Sequence, residues 1–385
     1  MKIDDKTSHN SPSIRFPEFT GEWKYFSIND VCSEFKSGKN IKADLISSNG
    51  NFPVYGGNGL RGYTSSYNHD GLYVLIGRQG ALCGNVRSVF GKIYITEHAI
   101  AVAGNEKSDT NFLHYLFLKM NLGQYSDQSA QPGLAVNKLL KLKVLLPSIS
   151  EQIKIAKLLS LLDERIAVQS RLIDRLQSLM IGLNNSLYEQ YGNDITTSFM
   201  ELGYSYSGLS GKSAKDFGSG KPFITYLNVY SNIIVDETDY QYVRINDGEK
   251  QNIVRTGDVL FTLSSETPEE VGIGSVYLGE KEVYLNSFCF GIHIERNQLA
   301  YSPYLSYYVT STAFRKFIYP FAQGSTRFNL CKADFEKASI KLPSLDNQKR
   351  ISAMLDCIAE KIRAEKAILE YYNIQRQYLL RQMFI

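Results

Sequence analysis

Long apolar runs are missing from this sequence of 385 residues. No stretch of about eighteen consecutive apolar residues occurs, which excludes a transmembrane helix of ordinary length. Residues 1–20 are polar and lack the apolar segment of an export signal, so we expect a loosely ordered arm on a cytoplasmic protein.

Cysteine is also scarce, with five residues at Cys32, Cys83, Cys289, Cys331 and Cys357. Their number is odd and no C-x-x-C spacing occurs, which argues against a zinc site and a disulfide framework. We therefore expect reduced, buried thiols.

Charge of one sign is not in excess, because 42 Lys and Arg residues face 39 Asp and Glu residues, a net charge of +3. A chain this close to neutral does not indicate nucleic-acid binding by charge alone. If it binds DNA, local patches or a partner must supply the phosphate contacts.

Motifs for catalysis are absent too. The sequence has no P-loop, no Asn-Pro-Pro-aromatic tetrad of an amino-methyltransferase and no dinucleotide-binding glycine motif. Glu34-Phe35-Lys36 matches the E-x-K of a nuclease but has no upstream Pro-Asp. No histidine pair has metal-ligand spacing, and structural roles are favoured for His9, His69, His98, His114 and His293. We expect a non-catalytic chain without a metal or cofactor of its own.

A heptad pattern is the strongest feature that is present. From Ser148 to Gln190, apolar residues recur at steps of three and four around one polar break, Gln169. This spacing predicts a coiled-coil helix about 60 Å long, with Ser148 and Glu151 as a capping box and Gly192 as its stop. The residues predicted to pair with another helix are Ile155, Leu159, Leu162, Ile166, Ile173 and Leu176.

The same pattern recurs 196 residues later, where Glu365 replaces the polar break. The matching pairing residues are Ile351, Leu355, Ile358, Ile362 and Leu369, and LPSISEQ (146–152) matches LPSLDNQ (342–348). A repeat of this length indicates a duplicated domain with its helix, not a solenoid. The predicted organisation is a first domain at 1–147, a spacer helix at 148–191, a second domain at 192–343 and a second spacer helix at 344–385.

Each globular part mixes strands with short helices, which predicts an α+β fold of two α/β domains separated by two long helices. Strands are expected at 71–77, 92–96, 99–104, 257–263, 272–279 and 282–294, and helices at 112–120 and 304–318. Residues 23–36 are predicted as a strand followed by one or two helical turns, and 199–217 as a strand, a turn and a Gly/Ser-rich stretch. The segments 53–67 and 127–138 are predicted as loops, and 222–232 is expected to take the place of 53–67.

Two like helices with apolar seams are expected to pair antiparallel, in a pseudo-two-fold arrangement. Gln169 would then face Glu365 as a register device, and the domains would lie roughly 50–60 Å apart. Such a protein would read two short signals at a fixed distance, as on duplex DNA.

The chain resembles the specificity subunit of type I restriction–modification enzymes over essentially its whole length. The likeness rests on the domain–helix duplication, PVYGGNGLRGY (53–63), VLIGRQG (74–80), the AQPG and AQGS segments and the two helix starts. It implies two target-recognition domains, each reading half of a bipartite, asymmetric double-stranded DNA site. It also implies docking of two adenine-methylating subunits that bring S-adenosylmethionine, and of restriction subunits, expected to be two, that use ATP and Mg²⁺.

The polar segments between strands are the predicted DNA contacts, because Arg pairs with guanine and Asn or Gln with adenine. In the first domain these are Tyr55, Asn58, Arg61, Tyr63, Arg78, Gln79 and Gln131. In the second they are Tyr226, Asn228, Tyr230, Ser264, Ser265, Gln323, Ser325 and Arg327. The nearby glycines would let the backbone approach a partner closely. Alternatively, the tyrosines are half-buried sheet residues and the glycines only turn the chain.

Two further alternatives stay open. Glu266, in an acidic stretch that repels phosphate, either accepts from cytosine N4 or is simply solvated. Leu158, Leu161 and Leu172 widen the helical stripe, either for partner subunits or for burial against the chain's own domains.

Two other functions compete with DNA specificity. One is a duplicated adaptor that binds protein or glycan, and the other is a nuclease or methyltransferase acting alone, which the missing motifs disfavour.

Overall fold

The computed structural model describes residues 11–127 and 133–385. It confirms a mixed fold of helices and sheets in which two helices are exceptionally long. Contacts divide the chain into two compact units. The first unit runs to Ser170 and resumes at Ala367, and the second unit is Arg171–Lys366, so each unit contains part of both long helices.

Over residues 11–127 and 133–191, the chain forms eight strands, three short α-helices and one long α-helix. In chain order these are β1 (Lys24–Ser27), α1 (Ile28–Val31), β2 (Cys32–Ser37), β3 (Phe52–Gly56), β4 (Gly59–Thr64), β5 (His69–Gly77), β6 (Val86–Ile95), β7 (Ala99–Gly104), α2 (Thr110–Met120), α3 (Val136–Leu140), β8 (Lys143–Leu146) and α4 (Ile149–Tyr191).

The second half adds shorter strands and ends in the other long helix. Its elements are β9 (Ile195–Thr197), α5 (Phe199–Leu202), β10 (Gly203–Ser207), β11 (Phe217–Ile224), α6 (Tyr226–Ser231), β12 (Tyr240–Val243), β13 (Val259–Thr262), β14 (Ser264–Ser265), β15 (Gly274–Val276), β16 (Tyr284–Leu285), β17 (Cys289–Ile294), α7 (Ser302–Tyr308), α8 (Thr312–Ile318), β18 (Ala322–Gln323), β19 (Phe328–Leu330), α9 (Lys332–Lys337), β20 (Ile340–Leu342) and α10 (Leu345–Gln382).

A six-stranded sheet with the order β2-β7-β5-β6-β3-β4 forms the centre of the first unit. All its pairs are antiparallel except β3 with β6. Because side chains alternate along β5, Val74 and Ile76 join the main core, while Leu75 joins a smaller cluster with Ala101. Both faces of this strand are therefore buried, which explains its continuous apolar run.

The second unit repeats this layout. Its order β10-β17-β13-β15 matches β2-β7-β5-β6, and the parallel pair β11-β16 matches β3-β6. The two-stranded sheets β1-β8 and β20-β9 also correspond. The duplication inferred from the two helices thus extends to the strand order of the globular parts.

Several local predictions were wrong. Residues 53–67 form mostly the β3-β4 hairpin instead of a loop, and in the second unit helix α6 lies between the matching strands β11 and β12. Cys32–Ser37 is a strand because it pairs with β7. Residues 199–202 are helical before strand β10 begins, since Ser198 caps them by accepting from the amide of Glu201.

Three other expectations also need correction. The predicted helix at 304–318 is divided into α7 and α8, because Ser311 caps a new helix by accepting from the Phe314 amide. The described part of the predicted arm is packed, since the Ile14 amide donates to the Gln382 carbonyl. Not every cysteine is buried either, because Cys357 is exposed on α10.

The long helices bury the predicted seam. Ile155, Leu159, Leu162, Ile173, Ile351, Leu355 and Ile362 are buried, and Ile166, Leu176, Ile358 and Leu369 are half-buried. In the first unit, the start of α4 shares a core with Leu380 and Met383 near the end of α10. In the second, the end of α4 packs near Ile351 and Leu355 at the start of α10. The two helices therefore run antiparallel within each unit.

The start of α4 uses its cap differently from the prediction. The Ser148 hydroxyl accepts from the Glu151 amide at 3.4 Å, but the Glu151 carboxylate is bound by the Arg15 guanidinium at 2.7 Å. Glu151 thus fixes the chain at residue 15 instead of completing a capping box.

A buried glutamine anchors the start of each long helix. Gln152 donates to the carbonyls of Lys107 and Pro147 at 2.9 and 3.0 Å, and accepts from the Asp109 amide at 3.0 Å. Gln348 makes the same three bonds, at 2.8–2.9 Å, with the carbonyls of Leu299 and Pro343 and the amide of Tyr301. The duplicated motif LPSxxxQ therefore ties each helix to the domain that precedes it.

Replacing either glutamine with leucine should destabilise its unit. In Gln152→Leu, two carbonyls and one amide at a buried or partly buried site lose their partner, which should lower the free energy of unfolding by about 2–4 kcal/mol. Chemical denaturation measures the loss, and hydrogen exchange locates it near Asp109.

Gln348→Leu should produce the matching loss near Tyr301. The exposed Gln375 on α10 provides the control, because Gln375→Leu should change stability by less than about 0.5 kcal/mol. Equal losses in Gln152→Leu and Gln375→Leu would contradict this role for the buried amide.

Candidate nucleic-acid interface

The turn of the β3-β4 hairpin is the centre of a polar cluster in the first unit. At Gly57, a Cβ atom would lie 2.7 Å from the His98 carbonyl oxygen and 3.6 Å from the Arg78 amide nitrogen. The Arg78 amide also donates to that carbonyl at 2.9 Å. The turn therefore lies directly against the segment that follows β5.

Three arginines surround this turn, and we call Arg61, Arg78 and Arg87 the arginine cluster. A Cβ at Gly56 would meet the Arg61 side chain at 2.8 Å, and one at Gly59 would meet the Arg87 guanidinium at 2.9 Å. Arg61 and Arg87 are exposed, and Arg78 is partly exposed. Within residues 11–127 and 133–385, none of the three forms an ion pair. Their charge is therefore available to an anionic partner.

Two amide side chains lie with this cluster. Asn58 is exposed at the tip of the hairpin. Gln79 is also exposed, and its Oε1 lies 3.0 Å from Nδ1 of His98. The structure thus brings together four predicted residues, Asn58, Arg61, Arg78 and Gln79, from segments about twenty residues apart.

The other predicted residues of the first domain lie elsewhere. Tyr55 packs against the cluster of Leu75 and Ala101, which is the alternative role of a half-buried sheet residue. Tyr63 pairs with Pro53 further along the hairpin and bridges to Ser47. Gln131 lies outside the described residues.

The glycines of the hairpin serve the chain's own packing. Side chains at Gly57 and Gly62 would collide with backbone carbonyl oxygens, those of His98 at 2.7 Å and Ser47 at 2.6 Å. Gly62 also has a φ of 145°, which disfavours other residues. Close approach by a partner is thus not needed to explain these glycines.

The second unit has a concave site of about 690 Å³ that we call the tyrosine pocket. Its lining comes from α6, from residues 264–270 and from the β18-β19 hairpin: Tyr226, Leu227, Tyr230, Ser264, Ser265, Glu266, Glu270, Thr326 and Arg327. Five of the eight residues predicted for this domain therefore meet in one pocket, within the volume range of ligand sites.

Hydrogen bonds fix most of the pocket's polar groups. The rings of Tyr226 and Tyr230 are stacked with centroids 6.0 Å apart. The Tyr226 hydroxyl donates to the Ser264 carbonyl at 2.9 Å, and Arg327 donates to the Ser264 hydroxyl at 3.3 Å. Tyr230 donates to one oxygen of Glu270 at 2.7 Å, and Ser265 donates to the other at 2.9 Å. These side chains are held in one arrangement before any ligand binds.

The carboxylate of Glu270 is stabilised in its charged form. Hydrogen bonds from Tyr230, Ser265 and Thr267 lower the pKa of Glu270, because they favour the ionised carboxylate. The same contact with Glu270 raises the pKa of Tyr230. Burial raises the pKa of Tyr226. At neutral pH Glu270 is therefore ionised, and the phenols of Tyr226 and Tyr230 are neutral.

Three predicted residues do not line this pocket. Asn228 is fully buried, and its side chain is bonded to the backbone of Asp236 and Asp239, so the prediction that it contacts DNA was wrong. Gln323 pairs with Asn329 in the β18-β19 hairpin, and Ser325 lies at its exposed turn.

Sequence reasoning missed Arg87, His98 and Glu270. Arg87 had a weak signal in the sequence, because it is a cation between two apolar residues of a strand, Val86 and Val89. In the structure those valines are buried and Arg87 is exposed. Glu270 had none, because only its bonds to Tyr230 and Ser265 distinguish it from Glu266 and Glu269.

The surface of the long helices is partly apolar. Leu158 packs against the first unit's own core, whereas Leu161 and Leu172 are 48% and 38% exposed. In the first unit, Leu161, Val168 and Tyr372 line a groove of about 370 Å³ between α4 and α10. Within the described ranges, every helix is too short or too polar to cross a bilayer.

Known proteins share this sequence pattern. The family described as the type I restriction modification DNA specificity domain matches residues 20–178 and 209–371. The chain is 42% identical to the type I restriction enzyme EcoprrI specificity subunit of Escherichia coli over 154 residues, which are 39% of this chain and 38% of that protein. It is 24% identical to the putative type I restriction enzyme specificity subunit S.HindORF215P of Haemophilus influenzae over 360 residues, 87% of this chain and 86% of that protein.

The fold also has a solved counterpart. The chain superposes on the type I restriction-modification system S subunit from M. genitalium with a TM-score of 0.63 at 17% identity. The superposition covers 97% of this chain and 99% of the other. At this low identity the likeness concerns the fold alone.

Adding a methyl group at Gly57 should displace the hairpin turn. Because the Cβ would lie 2.7 Å from the His98 carbonyl oxygen, Gly57→Ala should cost about 1–3 kcal/mol of stability. Denaturation measures this cost, and faster exchange of the Arg78 amide would report the broken contact.

Gly182→Ala provides the control, since this helical glycine has open space around its Cβ position. That variant should gain up to about 1 kcal/mol from helix propensity. A neutral Gly57→Ala with unchanged exchange at Arg78 would show that the turn does not rest on His98.

Proposed function

This chain belongs to the family of type I restriction modification DNA specificity domains, and we propose that it selects the DNA sequence for a type I restriction–modification complex. The observation that carries the proposal is the presence of two copies of the family domain, at residues 20–178 and 209–371. Each copy has its own cluster of polar side chains, the arginine cluster in the first and the tyrosine pocket in the second. Two different reading surfaces on one chain suit a bipartite, asymmetric double-stranded DNA site.

The arginine cluster is the proposed contact surface of the first domain. Its three guanidinium groups can donate to phosphates or to guanine, and Asn58 and Gln79 can pair with adenine. In the second domain we propose contact through Tyr226, Tyr230, Ser264, Ser265 and Arg327. These residues make a nearly neutral chain locally suited to DNA.

The long helices are the proposed spacer and docking site. In this proposal, the antiparallel seam of the two helices serves as the spacer between the recognition domains. Exposed apolar residues on α10, at Tyr371, Ile374 and Tyr378, would contact partner subunits. We propose two modification subunits carrying S-adenosylmethionine, and two restriction subunits using ATP and Mg²⁺. In this proposal, catalysis belongs to the partners and the complex works in the cytoplasm.

Methylome sequencing tests the proposed function directly. The chain is expressed with its modification subunit in a host without adenine methylation, and long reads report the methylated motifs. We expect one bipartite motif that disappears when the chain is omitted.

Exchanging residues 1–147 for those of a relative should change one half of that motif and leave the other. A methylation pattern that is independent of the chain would overturn the proposed function. A change in both halves would overturn the assignment of one half-site to each domain.

The arginine cluster can be tested through the salt dependence of DNA binding. Arg87→Gln in the assembled complex should weaken binding and reduce the slope of log K against log salt by about 0.9 if one phosphate contact is lost. Titrations of a duplex carrying the motif, at several salt concentrations, measure both quantities.

The matched control is Lys119→Gln, which also removes one cation, from an exposed position on α2. Lys119→Gln should leave affinity and slope unchanged. Equal slopes for the wild type and Arg87→Gln would exclude Arg87 from phosphate contact.

A further inference from the structure

Glu270 is carried by a loop that the second unit holds rigidly. The Arg315 side chain donates to the carbonyls of Glu269, Val271 and Gly272 at 2.6–2.8 Å. Gly272 adopts a φ of 65°, and a Cβ there would lie 2.4 Å from Ile318. The Arg315 side chain and the packing of Gly272 against Ile318 therefore fix the backbone on both sides of Glu270.

The carboxylate itself is also fixed. One oxygen accepts from the Tyr230 hydroxyl and the other from the Ser265 hydroxyl, and Thr267 is a third donor to the same carboxylate. A carboxylate has about four lone-pair sites, so it retains the capacity to accept one further donor. Glu266, on the same pocket wall, is exposed, and among the described residues no hydroxyl group donates to its carboxylate. The pocket thus contains one positioned acceptor with capacity for a ligand.

Arg327 is the donor that accompanies it. Its guanidinium lies 5.8 Å from the centroid of the Phe288 ring and donates to Ser264. Among the described residues, Arg327 and Glu270 line the same pocket without forming an ion pair. A fork of donors and a separate acceptor therefore face the same space without neutralising each other.

This pairing of groups matches the major-groove edge of a G·C base pair. Guanine presents two acceptors, O6 and N7, which suit the guanidinium fork, and cytosine presents one amino donor at N4. Resting on the proposed function, we propose that the second domain reads one G·C pair. Arg327 donates to the guanine, and Glu270 accepts from the cytosine amino group.

The methylome assay tests this assignment at single-base resolution. The wild-type motif should contain a fixed G·C pair in the half-site of the second domain. Glu270→Gln should relax the requirement at that one pair, with methylation of sites substituted there rising about ten-fold or more relative to the wild type. Arg327→Lys, which loses the fork, should relax the same pair.

Two further variants separate base reading from a purely structural role. Glu269→Gln removes a charge from the exposed neighbour of Glu270, which is not among the residues that line the pocket, and should leave the motif unchanged. Tyr230→Phe keeps the carboxylate but removes one bond to it, and should relax the same pair to a smaller extent. This variant also keeps the test open if Glu270→Gln fails to assemble.

Three results would overturn the assignment. The first is a half-site for the second domain that has no fixed G·C pair. The second is an unchanged motif in assembled complexes of Glu270→Gln and Arg327→Lys. The third is a loss of methylation at every site without relaxation at one base pair. A wild-type chain that directs no bipartite motif would instead overturn the proposed function itself.

Discussion

Burial of the apolar seam on each long helix is the constraint on which both units depend. The first unit's core is completed at the far end of the chain, where Phe384 contacts the rings of Trp23 and Phe112. In the second unit, Ile351 and Leu355 share the core with the end of α4. Neither unit contains a complete core without part of both helices, so folding of the domains and pairing of the helices are coupled.

Anchoring by hydrogen bonds gives these helices a defined position. Gln152 and Gln348 each donate two hydrogen bonds and accept one, which an apolar residue cannot replace. Tyr115 and Tyr307 add hydroxyl bonds from the domains to Asp163 and Asp356 on the helices. Apolar burial supplies the attraction, and these directional bonds determine where each helix starts.

The shared scaffold carries two unlike surfaces. Strand order is repeated between the units, yet the first unit has a hairpin turn surrounded by three arginines where the second unit inserts α6 and forms a pocket. Because the sheets are fixed by packing, the segments between strands can differ without loss of the core. A constant scaffold with variable segments suits a protein whose halves recognise different sequences. Contacts concentrated in such segments do not require a large basic face, which fits a nearly neutral chain.

The sequence by itself determined the helices, the duplication and most strands, because those features depend on periodicities that neighbouring residues express. It also indicated most residues of both polar clusters. Only the tertiary structure decided that Asn228 is buried by residues 236–239, that the hairpin glycines accommodate His98 and Ser47, and that Glu270 rather than Glu266 is fixed in the pocket. These outcomes depend on contacts between segments remote in sequence, for which local spacing carries no signal.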